Sequence, residues 1–214
     1  MSMLNQLSSQ VGDRTESSNR KVVLQCLEDP DLLAEIANGL QSMDTALVGD
    51  CAEVLTKVAE KHPEWVAPHA DSIIMLLGHK NTRVRWEAMH AIALVAAHTP
   101  STIAALLPTL GEILRTDASV IVRDHATDAI AHYAATGNSA ADSAYPYLKE
   151  ALTVWSGKQA GHALHGLVPV AALVPILTDE LRRIAEEYTH SDRAVVRKAA
   201  KELLNAIESR KLND

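Results

Sequence analysis

A chain of 214 residues with 47% hydrophobic and 22% charged residues has the composition of a soluble folded protein, with room for one large domain or a short array of repeats. Aromatics make up 3%, Phe is absent, and Ala and Leu dominate, which argues against a sandwich or barrel core and for helix. A net charge of -7 opposes a surface dedicated to nucleic acid or anionic membrane, because phosphate affinity comes mostly from Lys and Arg.

The chain opens on MSMLNQLSSQVGDRTESSNR. No basic region precedes an apolar core, so this is not read as a signal peptide. Residues 1–20 are polar and Ser-rich and are expected to form a mobile arm or a short, weakly held helix, with residues 21–214 as the folded domain. Val22, Val23, Cys26 and Leu27 then recur at helical spacing and predict an N-terminal capping helix. Cys26 and Cys51 lack metal-ligand spacing and suit two buried thiols in a reducing compartment. No run approaches the roughly 18 apolar residues of a membrane span, and the expected location is the cytoplasm.

The next elements repeat. Val84-Arg85 opens VRWEAMHAIALVA, and Val122-Arg123 follows 38 residues later. Val48-Gly49 precedes them, Ala160-Gly161 is a degenerate copy, and Val196-Arg197 closes the series, all at intervals of 36 to 38. Apolar offsets of 0, 4, 7, 8 and 11 from each anchor make one face of a helix; in the second copy they are Val84, Ala88, Ala91, Ile92 and Val95. A second helical segment lies between successive anchors. Two such segments begin at Pro63 and Pro100, which suits a first helical turn. Pro68, Pro108 and Pro146 lie inside the intervening segments and predict bends. Lys198, Lys201, Glu202 and Glu208 stand off the last stripe, as a C-terminal cap requires.

Helix, turn, helix at this period is a solenoid. The period, the internal prolines and the Val-Arg anchor resemble the HEAT family of repeats, kin of armadillo repeats, over about residues 30–207. The resemblance implies an all-α, right-handed superhelix of about five helix pairs with an N-terminal capping helix. It also implies that Arg85, Arg123 and Arg197 are structural, bonding neighbouring turns. Asn81, Asp117 and Asp192 loosely match the family's acidic or amide residue before the Val-Arg pair, while Gly49 and Gly161 depart from the pattern.

In that family the second helices line a concave face where partners bind. Offsets opposite the buried stripe place Trp86 and His90 there in the second repeat, Asp124 and Asp128 in the third, and His162 and Gly166 in the fourth. The five residues Trp86, His90, Asp124, Asp128 and His162 form the candidate binding surface. Trp86 either anchors a partner or packs across a repeat junction. An acidic rim favours a basic or amphipathic peptide or protein surface over nucleic acid. The expected function is a non-enzymatic protein-interaction scaffold needing no cofactor. The alternative is a HEAT-like DNA-binding or alkylpurine DNA glycosylase-type protein, opposed by the acidic balance and the few aromatics.

His125, Asp128 and His132 share a face, and His162 and His165 follow one repeat on. Stacking equal offsets is expected to place Glu87 beside His125 and His90 beside Asp128, two opposite-charge pairs across one seam that read as a cross-repeat charge ladder or as the start of a carboxylate–imidazole metal site. HEAT-like enzymes that bind two irons use His-Glu dipeptides, and this chain has none, so the ladder is preferred and no metal is expected. No Gly-rich nucleophile elbow, phosphate loop or Cys/His signature points to catalysis.

Overall fold

The computed structural model describes residues 2–211, and its regular elements are helical throughout. The chain divides between Thr99 and Pro100 into two compact units.

In the first unit, a 3-10 turn at Leu4–Gln6 leads into helices α1 (Ser8–Val11), α2 (Ser17–Glu28), α3 (Leu33–Gly39), α4 (Thr45–Ala59), α5 (Pro63–Val66), α6 (Ala70–Ile74) and α7 (Thr82–Val95). Asp44 caps α4 through the Ala46 amide, and Asn81 caps α7 through the amides of Arg83 and Val84. Each side chain satisfies a donor that the first turn leaves unpaired. The expected stripe is the core: Val48, Ala52, Leu55, Val84, Ala88, Ala91, Ile92 and Val95 are all buried. Pro68 does more than bend its segment. Without an N–H it cannot continue the ladder, and a 3-10 turn at Ala67–His69 separates α5 from α6.

The polar N-terminal stretch, expected as a mobile arm or a short, weakly held helix, contains the 3-10 turn, the four-residue α1 and the start of α2, and it is packed. Met3 and Leu7 are buried, and so is Asn19. Asn19 accepts the Ser8 amide at 2.8 Å and donates to both Asp50 and Glu53 at 3.0 Å. The Ser9 amide reaches Asp50 at 2.7 Å, and Arg83 meets Glu53 at 2.6 Å. Polar composition hides this outcome because the matching carboxylates lie 31 and 34 residues further along the chain. A buried polar group is tolerated when its partners are buried with it. Both cysteines are free and buried; desolvation pushes the Cys26 thiol up to about 11 and the Cys51 thiol up to about 12.

The second unit contains α8 (Pro100–Thr116), α9 (Val120–Ala134), α10 (Asn138–Ala151), α11 (Ala160–Leu173), α12 (Thr178–Tyr188) and α13 (Ala194–Lys211). Here α8 and α9, α10 and α11, and α12 and α13 form successive pairs, and α11 packs between α9 and α13. Pro108 and Pro146 sit inside continuous helices. Val122, Ala126, Ala129, Ile130, Leu164, Leu167, Val196, Ala200 and Leu203 fill the interior.

The Val-Arg arginines close their own corners. Arg85 donates to the carbonyls of His79 and Lys80 at 2.8 and 3.3 Å, and Arg197 to those of Ser191 and Asp192 at 2.7 and 2.9 Å. Arg123 donates to the Asp117 carbonyl in the same register, and its buried guanidinium lies 4.0 Å from the centre of the Trp155 ring. Trp155, Ser156 and Gly157 form a left-handed turn, with φ of 52°, 57° and 70°. The Trp155 indole donates to the Leu114 carbonyl at 2.9 Å. Gly161 has no guanidinium to offer its corner; Arg193, from the following repeat, bonds the carbonyls of Gly157 and Lys158 instead, at 2.8 and 3.1 Å.

Candidate functional site

Asp124 and Asp128 lie one turn apart on α9, and His162 lies on α11 of the next pair. The structure brings these three together. His162 Nδ1 is 2.6 Å from Asp128 Oδ1, and its Nε2 is 3.9 Å from Asp124 Oδ1. Gln159, fully buried, donates to Asp124 at 2.9 Å. His125 approaches the second oxygen of Asp128 at 3.7 Å. Burial alone would push the Asp128 carboxyl up; the hydrogen bonds from His125 and His162 outweigh it and hold the carboxyl well below its ordinary range. The same bond raises His162, with burial opposing it. One seam further, His165 meets Glu202 at 2.9 Å, and Lys198 lies 3.8 Å from Glu202.

This is a cross-repeat ladder in which each carboxylate takes an imidazole from the neighbouring pair. Glu202 occupies the register in its helix that Asp128 occupies in α9, which is the signal that finds it in sequence. Gln159 has no such signal, since it precedes the anchor. Beside the ladder runs a groove of about 400 Å³. Asp128, His132, His162 and His165 wall it, and Ala131, Ala135, Ala172 and Ala206 provide small apolar surfaces. Among the described residues, no group of three or more His, Cys, Asp or Glu side chains is arranged to hold a metal ion.

Trp86 and His90 belong to the first unit, one turn apart on α7 and half-buried. The Trp86 indole N–H is occupied by Glu87 at 3.0 Å. Gly166, expected in the open row, is instead buried: a Cβ there would meet Leu148 and Ala131 at 2.7 and 2.8 Å.

Solved structures with the same arrangement of helices exist at low sequence identity. An archaeal HEAT-like repeats protein from Thermococcus onnurineus NA1 superposes with a TM-score of 0.55 at 16% identity, over 90% of this chain and 93% of that one. The fold is HEAT-like. An engineered protein matches with a TM-score of 0.72 at 18% identity, over 97% of this chain and 95% of its own. The complex of CpcE and CpcF of phycocyanin lyase from Nostoc sp. PCC7120 gives 0.58 at 18% identity, over 86% of this chain and 66% of that one. No protein-family model matches the sequence, and no curated protein matches it. Among the described residues of this HEAT-like chain, no helix is long and apolar enough to cross a membrane.

Proposed function

We propose that this HEAT-like chain is a non-enzymatic protein-interaction scaffold of the cytoplasm, binding a basic or amphipathic peptide or protein segment. The observation that carries this reading is the groove of the second unit. It combines an alanine surface, which lets a backbone approach closely, with the Asp128 carboxylate, whose rotamer is already fixed, while Asp124 lies one turn away on α9. Asp128 is held by two imidazoles and Asp124 by Gln159. Side chains fixed before binding lose little entropy when a partner arrives. A cationic side chain of that partner would meet Asp124 and Asp128, with His162 alongside. Trp86 and His90 are proposed as contacts on the first unit, Trp86 contributing apolar area.

The test is a display library of helical peptides selected against the full chain. Basic, amphipathic sequences should be enriched. Asp128→Lys and Trp86→Ala, made separately, should each weaken the selected peptides while leaving the melting profile cooperative. If both variants fold and retain every selected peptide, these faces are not the binding surface.

A further inference from the structure

The first unit has a groove of its own, of about 390 Å³, between the middle of α2 and the end of α4. Arg20, Val23 and Leu24 line it from α2, Lys57 from the last turn of α4, and Glu60 and Lys61 from just past that turn. Lys57 and Lys61 stand nine and thirteen residues after the Val48 anchor, as Ala131 and Ala135 stand after Val122. The same row lines the groove of the second unit. There it presents alanine beside carboxylate and imidazole; here it presents ammonium groups.

Two features of this groove find no complement within the chain. The first is apolar. A helix that caps a repeat array needs a polar outer face, yet Leu24 of α2 is 57% exposed, with Val23 half-buried beside it. The second is charge. The lining has three cations and one carboxylate, and that carboxylate, Glu60, is already bonded to Lys57 at 2.6 Å. Among the described residues, Arg20 and Lys61 have no carboxylate within ion-pair distance. Composition does not force this, since the chain carries 27 acidic residues against 20 basic ones. The methylene stems of Arg20 and Lys61 also extend the apolar patch that Leu24 exposes.

We propose that this groove receives an acidic amphipathic helix of a partner protein, with an apolar side chain over Val23 and Leu24 and carboxylates to either side meeting Arg20 and Lys61. Charge complementarity selects this occupant, because a basic segment would meet like charge at Arg20, Lys57 and Lys61. An anionic membrane is the poorer fit: the chain's net charge of -7 opposes it, and a groove takes a protruding side chain rather than a layer of headgroups. The proposal goes beyond the basic-segment reading and shares no residue with the surface assigned there.

The full chain, labelled with 15N, is titrated with an alanine-based helical peptide that carries one Leu with Glu one turn before and one turn after it. A scramble of the same composition, with Glu moved to the opposite face, is the control, and a third peptide has Lys in place of Glu. The amides of Val23, Leu24 and Lys57 should shift saturably with the acidic peptide, about tenfold more tightly than with the scramble. The Lys peptide should leave these amides unmoved, whatever it does at α9 and α11. Leu24→Ser and Lys61→Glu change exposed side chains; each should weaken the acidic peptide about tenfold while the protein melts as before. Asp128→Lys should leave its binding unchanged, so that this groove and the one on the second unit are judged separately. A parallel arm uses vesicles of phosphatidylcholine and phosphatidylserine. Absence of saturable shifts at these amides, equal binding of the scramble, undiminished binding in Lys61→Glu, or Lys61-dependent binding to vesicles without binding of the peptide overturns the proposal.

Discussion

His162 and Asp128 face each other across a repeat seam with Nδ1 and Oδ1 2.6 Å apart, and each moves the other's titration. His162 is raised above its ordinary 6.5, so its contribution to stability is complete below that pH and is lost as pH rises through its folded value. Asp128 is lowered below its ordinary 3.8, so its contribution is complete above that pH and is lost as pH falls through its folded value. The pair therefore stabilises most between 3.8 and 6.5. Asp124 and His125 face the same pair, and Arg193 opposes the charging of His162. Asp128→Asn should lower stability by about 1 kcal/mol at around pH 5.5, the exposure of both groups limiting the effect, and by less at around pH 9. Chemical denaturation of both proteins at the two pH values checks the sign.

The corner arginines should differ in weight. Arg123 is buried, hydrogen-bonded to the Asp117 carbonyl and stacked on Trp155, so Arg123→Ala should cost about 2–4 kcal/mol. Arg85 makes the corresponding bonds in a half-exposed setting, and Arg85→Ala should cost about 1 kcal/mol. Peptide capture by the folded Arg85→Ala protein should be unchanged. Equal losses of stability in the two variants would show that closing the corner, rather than burial and stacking, sets the cost.

Two glycines make opposite demands. At Gly166 a Cβ would sit 2.8 Å from the Ala131 Cβ, which cannot swing aside, so Gly166→Ala should destabilise by roughly 1–3 kcal/mol. At Gly49 the nearest side-chain atom would be Val84 Cγ2 at 3.8 Å. With no clash, the better helix propensity of Ala should raise stability by about 0.5–1 kcal/mol. Thermal melting of the two variants reads both signs at once.

Ala126 lies in the fully buried stripe of α9. Ala126→Leu adds three carbons to that close-packed interior and should cost about 1–3 kcal/mol. A neutral result would mean that the helices part to admit the side chain, with the change then visible in the amide spectra of α9 and its packed neighbour α11.

The sequence by itself determined the features carried by short spacing. The offsets that include Val84, Ala88 and Ile92 declare a helix and its buried face together, because 3.6 residues make a turn wherever the helix stands. The interval of 36 to 38 then declares the stacking of pairs. Even the corner role of Arg85 and Arg197 was legible, since each bonds carbonyls five and six residues back. Tertiary structure decided what depends on the phase of one helix against the next. Asp128 and His162 were both marked as open-face positions, but their direct bond across 34 residues depends on how α11 is rotated against α9. Asn19 looked like part of a polar arm until α4 placed Asp50 and Glu53 around it. The groove at Leu24 exists because the end of α4 lies beside the middle of α2. Periodicity reports which face of a helix is buried; only packing reports which side chains, dozens of residues apart, meet there.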